Sequence, residues 1–147
     1  MKLYIVSLVL LSLISLNIYN KETSFKYVEI TQEKDLQQSI KDGKSIYSEF
    51  CIRCHLGYGE GIEGIYPPLA DSNWLSEKRT ESIKSVKFGL RGEIEVNGKT
   101  YNNNMTSMGL TDREVADVMN YIMNSFGNEN NEFDQVTLKE VSNLSKD

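Results

Sequence analysis

Histidine is nearly absent from this chain, with one residue in 147, and cysteine and proline occur twice each. Both cysteines fall within one five-residue stretch, so none is left for a structural disulfide between distant segments. A closed structural zinc site takes four ligands, usually Cys or His, and the chain is one short of that. Basic residues are outnumbered, 16 Lys and Arg against 21 Asp and Glu, for a net charge of −5. Binding a phosphate backbone needs a basic face, so the balance argues against a nucleic-acid partner. No alternation of strand and helix patterns runs through the chain, which leaves a thioredoxin-like dithiol without its usual βαβ scaffold. What is present, 39% hydrophobic and 25% charged residues, suits one soluble domain of ordinary size behind an apolar N-terminal segment.

The stretch holding both cysteines is Cys51-Ile52-Arg53-Cys54-His55. C-x-x-C-H is the attachment signature of a c-type haem. Two thiols about one helical turn apart can add to the two vinyl groups on one porphyrin edge. A histidine directly after the second thiol is held under the ring, where its imidazole can bind iron. With zinc and a dithiol disfavoured, covalent haem is the reading.

Met1 to Tyr19 carries one charge, Lys2, and is otherwise apolar apart from Ser7, Ser12, Ser15 and Asn17. Residues 1–20 read as an export signal or an uncleaved membrane anchor. No small-x-small cleavage site stands out, and Tyr4 and Tyr19 flank the run where interfacial aromatics are favoured. Either form exports the domain, as bacterial haem attachment requires. Residues 21–34 are a polar linker. From Asp35 a helix is expected, with Leu36, Ile40, Ile46, Tyr47 and Phe50 on one face, Gly43 marking close packing, and the haem motif at its end. Gly57, Gly59, Gly61 and Gly64 make a loop ending in Pro67-Pro68. It lacks the Lys-Ser/Thr ending of a phosphate cradle. A proline carbonyl here is available to accept from the second ring nitrogen of His55. Trp74 and Leu75 are expected in a polar turn, and residues 77–90 as a helix stopped by Gly89. That helix is locally basic (Lys78, Arg79, Lys84, Lys87, Arg91), either a solvated face or a patch for haem propionates or an acidic partner. Residues 93–101 predict a β-hairpin about Asn97-Gly98. Thr111 and Glu114 form a capping box for a helix through Val115, Val118, Met119, Ile122 and Phe126, with Gly127 as the stop. Residues 129–147 are expected to be a polar tail with a short C-terminal helix.

A lone histidine excludes bis-histidine ligation, so the sixth ligand is Met, Lys or an open site. Met119 and Met123 fit a helix core. Met105 and Met108 lie in a loop, where a thioether can approach iron from the far side.

These stretches together resemble a bacterial class I cytochrome c: the motif, then Tyr66-Pro67-Pro68-Leu69-Ala70-Asp71, then Asn97 to Met105, then Leu110-Thr111-Asp112-Arg113-Glu114, then Tyr121 to Asn128. The resemblance spans roughly residues 43–128. It is similar to the monohaem domains found with membrane dehydrogenases, oxidases and copper nitrite reductases. It implies an all-α fold, three to five helices around one covalent haem c with a small hairpin, in a domain over 35–128. It implies that Gly43 and Tyr47 meet the last core helix near Tyr121. It further implies that Pro67 supplies the carbonyl orienting His55, and that Met105 is the axial methionine, with Met108 as its substitute. One departure is Thr106, where the family usually has proline, and the expectation is a looser loop. Leu56 is another, where the family has a small or polar residue. The function implied is single-electron transfer by a carrier, not an enzyme, on the periplasmic side of the bacterial cytoplasmic membrane. Its partners would be a dehydrogenase or reductase donor and an oxidase or reductase acceptor, with the membrane added if residues 1–20 stay uncleaved. The alternative is a five-coordinate haem sensor or peroxidase-like protein.

Overall fold

Two helices crossing face to face carry the architecture. The first, α1 (Leu36–Ile46), buries Ser39 and Gly43, while Leu36 and Ile40 are only partly covered. The second, α5 (Asp112–Met123), lies across that face. The two backbones approach so closely that a Cβ on Gly43 would overlap the Asp117 carbonyl and lie 2.9 Å from Tyr121 Cβ. Small side chains therefore line the contact, and the larger apolar residues of α1 flank it. At the crossing Tyr47, Tyr121 and Phe126 form a ring cluster with centroids 5.2 to 5.5 Å apart. A buried polar seam runs beside it. The Ser39 hydroxyl donates to Asp117 at 2.6 Å, Lys34 Nζ reaches the other Asp117 oxygen at 2.6 Å, and Asn120 donates to Ser39 at 2.9 Å.

The computed structural model describes residues 33–131 and 133–146. The expected signal or anchor and most of the linker lie outside the described residues. Among those described, no helix is long and apolar enough to cross a membrane.

From α1 the chain enters one π-helical turn (Tyr47–Cys51) and then α2 (Ile52–His55), which holds the motif. Counting this run as one, the described residues hold five α-helical stretches and one short 3-10 turn (Asn128–Asn131). Trp74 and Leu75 belong to α3 (Asn73–Glu77), not to a polar turn, and Leu75 is buried. Lys78, at φ −127° and ψ 48°, breaks the chain before α4 (Arg79–Phe88), so the single helix expected over 77–90 is shorter and preceded by a bend. Gly89 ends α4 with φ 84°. Strands β1 (Ile94–Val96) and β2 (Lys99–Tyr101) pair antiparallel, with Val96 opposite Lys99. Asn97 and Gly98 both take positive φ, 52° and 73°, as a two-residue turn between twisted strands demands.

The capping box at α5 is complete. Thr111 Oγ1 accepts from Glu114 N–H at 3.3 Å, and Thr111 N–H donates to the Glu114 carboxylate at 2.8 Å. The helix stops at Met123, before Gly127, where the Asn124 side chain takes the Asn120 carbonyl at 2.8 Å. The segment expected as a polar tail packs into the core. Val136 and Val141 are fully buried, and Asn120 pairs with both backbone groups of Val136, at 2.7 and 2.9 Å. The tail's helix, α6 (Leu138–Ser142), starts at Thr137, whose hydroxyl accepts from Glu140 N–H at 3.1 Å.

Candidate functional site

The π-helical turn sets the aim of the motif. It widens the helix by about one residue over the turn that ends at Cys51, a distortion often found at functional sites. Cys51 and Cys54 are both half-buried free thiols. Burial, with Cys54 beside it, pushes the Cys51 thiol up to about 11. The Tyr66 hydroxyl is raised as well, by its hydrogen bond to Cys54.

His55 is buried. Its Nδ1 lies 3.0 Å from the Pro67 carbonyl, so Nδ1–H donates there and Nε2 keeps its lone pair. Burial lowers the pKa of the ring, and the Pro67 bond opposes this without cancelling it. The imidazole is therefore neutral at neutral pH, the form that binds metals. Leu56, next in the chain, has φ 63° and ψ −178°, a region in which glycine is the ordinary occupant. Its carbonyl accepts from the Tyr47 hydroxyl at 2.7 Å. The residue that departs from the family's habit is thus also strained.

Two adjoining hollows open beside the motif and share His55, Cys51, Pro67, Val86, Leu90, Ile94 and Met105. The larger measures ≈ 900 Å³ including its open mouth. Its apolar walls come from Phe50 on the π turn, Ile65 in the glycine loop, Val86 on α4, and Leu110 before α5. Cys54 and Met108 line it too, but only Met105 of the two loop methionines lines both hollows. The structure thus brings Cys51, Cys54, His55, Pro67 and Met105 together, with Met108 at the mouth and 37% exposed.

The Met105 loop is tied to two neighbouring segments although the proline is absent. Leu90 and Met105 exchange both backbone hydrogen bonds, at 2.8 and 2.9 Å, and Asn103 donates to the Ile65 carbonyl at 2.9 Å. Leu90, Phe50 and Ile94 went unmarked as site residues in the sequence. The helical spacing of Phe50 and the strand alternation of Ile94 were the available signals. A single bridge at Leu90 leaves no sequence pattern. At least two of the five basic residues on and around α4 pair internally. Arg79 makes a two-pronged pair with Glu140 at 2.8 and 2.9 Å, and Lys87 pairs with Asp112 at 2.8 Å.

Comparison with known proteins decides the family. Residues 40–126 match the family described as cytochrome c. The chain belongs to the cytochrome c family. It is 41% identical over 91 residues to cytochrome c-552 of Thermus thermophilus, covering 58% of this chain and 69% of that protein. It is 30% identical over 90 residues to the cbb3-type cytochrome c oxidase subunit FixP of Bradyrhizobium diazoefficiens, and 26% over 92 residues to the fructose dehydrogenase cytochrome subunit of Gluconobacter japonicus. The match spans only 30% and 19% of those two longer proteins. Its cofactor is therefore covalent haem c, and its chemistry is electron transfer. The residues present fit that group: two thiols, a neutral imidazole with a free Nε2 and a thioether border one apolar cavity.

Proposed function

We propose that this cytochrome c is an exported carrier of single electrons in which Cys51 and Cys54 form the haem thioethers and His55 and Met105 bind the iron. One arrangement carries the reading: His55, engaged through Nδ1 by Pro67, lines the same cavity as Met105 and both thiols. Bound haem c supplies a ferric/ferrous couple. The chain supplies position and surroundings. The Pro67 carbonyl holds the His55 ring in one orientation and raises the basicity of Nε2. Phe50, Val86, Leu90 and Leu110 keep water from the metal side, which favours low charge there. A thioether at Met105 favours the ferrous state relative to a second nitrogen. Met108 stands within the same cavity as a substitute.

In this reading the protein is a carrier, not an enzyme, working on the periplasmic side of a bacterial membrane, anchored by residues 1–20 or released from them. Its partners are redox proteins, a dehydrogenase or reductase as donor and an oxidase or reductase as acceptor. Relatives named as an oxidase subunit and a dehydrogenase subunit support this choice. The test is the methionine-to-iron charge-transfer band of the ferric protein. The band is expected in the wild type and lost in Met105→Ala. Its absence in the wild type, with rapid carbon monoxide binding after reduction, would point to a five-coordinate haem protein and refute the carrier reading. A band that survives Met105→Ala would move the ligand to Met108.

A further inference from the structure

The last turn of α4 does more than end a helix. Leu90 and Met105 exchange backbone hydrogen bonds across it. The Ser107 hydroxyl donates to the Lys87 carbonyl at 2.9 Å, one of the acceptors that a helix C-terminus leaves without a partner. The Gly109 N–H in turn donates to Ser107 Oγ at 3.4 Å. Between these ties the loop lies directly on Gly89, where a Cβ would come 2.7 Å from the Met105 carbonyl oxygen and 2.9 Å from Ser107 N.

The same turn is fastened on its other side. Lys87, with its side chain 14% exposed, pairs with Asp112 at 2.8 Å and donates to the Val141 carbonyl at 2.8 Å. Val141 lies on α6, beyond the residues 40–126 that match the family. A chain of contacts therefore runs from the C-terminal helix through Lys87 to Ser107 and the Met105 loop. Neither Lys87 nor Ser107 lines the two hollows.

We propose that Ser107, backed by Lys87, is a positioning residue for the sixth ligand, holding the Met105 loop against α4 where Thr106 stands in place of the family's proline. The proposal rests on Met105 as the axial ligand. The hydroxyl clamps the loop two residues past the methionine, and the C-terminal helix keeps the clamped turn from shifting. Opening the clamp lets the thioether leave the iron while the rest of the fold stays intact.

The probe is cyanide binding to the ferric holoprotein, whose rate follows departure of the sixth ligand. Ser107→Ala is expected to accelerate it about 2- to 10-fold, the range that one lost hydrogen bond supplies. Ser107→Thr, which keeps the hydroxyl, restores the wild-type rate, and Lys87→Met accelerates binding as Ser107→Ala does. Ser39→Ala, in the seam between α1 and α5, lowers denaturant stability but leaves the cyanide rate unchanged. Equal rates in wild type and Ser107→Ala, with the charge-transfer band present in both, would overturn the proposal. So would an acceleration by Ser39→Ala as large as that by Ser107→Ala, since exchange would then track global stability. A ferric wild type without the band overturns the His/Met reading itself, and the positioning role falls with it.

Discussion

Replacing Gly43 by alanine sets two opposing effects against each other at the α1–α5 crossing. In an isolated helix the change would help by about 1 kcal/mol, because glycine is the poorer helix former. Here the added methyl would overlap the Asp117 carbonyl and stand 2.9 Å from Tyr121 Cβ. Both obstacles are fixed parts of a facing helix, so α1 and α5 must separate. Overpacking of this kind costs about 1–3 kcal/mol. Separation also stretches the 2.6 Å hydrogen bond from Ser39 to the Asp117 carboxylate, a charge-assisted bond whose loss costs about 1.5–3 kcal/mol. The Tyr47–Tyr121 ring contact at 5.5 Å adds about 0.5–1.5 kcal/mol. These losses are partial and overlapping, and they exceed the propensity gain. The expected net loss is about 2–4 kcal/mol, read from the guanidinium midpoint of the holoprotein followed by circular dichroism at unchanged m-value. A Gly43→Ala protein as stable as the wild type would refute the close-approach argument, because propensity would then have won.

Leu56 offers a paired comparison. Leu56→Gly should be more stable than Leu56→Ala by about 1–2 kcal/mol, since relief at φ 63° outweighs the extra freedom glycine has when unfolded; equal denaturant midpoints would remove the strain. Lys34 is a second case. Burial alone would lower its pKa, but hydrogen bonds to Asp117 and Asp42 raise it above the ordinary lysine value of 10.5. Its stabilising effect is thus complete below pH 10.5 and lost as pH rises through the higher folded value. Lys34→Met should cost about 2 kcal/mol at pH 7, with the gap to wild type closing only above pH 10.5; a gap constant across that range in denaturation curves would rule the pairing out. Val141 is fully buried, so Val141→Ala should lower stability by about 2 kcal/mol; a loss near zero in calorimetry would make the C-terminal helix a surface appendage.

Local features were readable in the sequence because their causes are local. Asn97-Gly98 forces its turn through φ alone, and Thr111 with Glu114 caps α5 within four residues. The haem motif is likewise five adjacent residues. What escaped reading depends on distant partners. Ser39 and Asp117 look like solvated positions until two backbones close over them. The tail looks polar because its apolar anchors, Phe133, Val136, Val141 and Leu144, are few and scattered, and the helix that holds Val141 packs on the distant α5. At the site, the cysteines, His55, Pro67 and Met105 stand out in the sequence, and the structure brings them to one cavity. The bridge from Leu90 to Met105 joins residues 15 apart through backbone atoms, which carry no residue signature.

The π-helical turn has a consequence for rotational phase. Successive residues of an α-helix are about 100° apart around the axis. Gly43 and Tyr47 must face α5, while Cys51, Cys54 and His55 must face the cavity, and both demands fall on one continuous helical run. The wider turn at Tyr47–Cys51 takes up one residue between them. It acts as a phase adjuster that lets the packing face and the cofactor face be set independently. A version of this chain one residue shorter there would keep the crossing with α5 but swing both thiols and the imidazole about 100° around the helix.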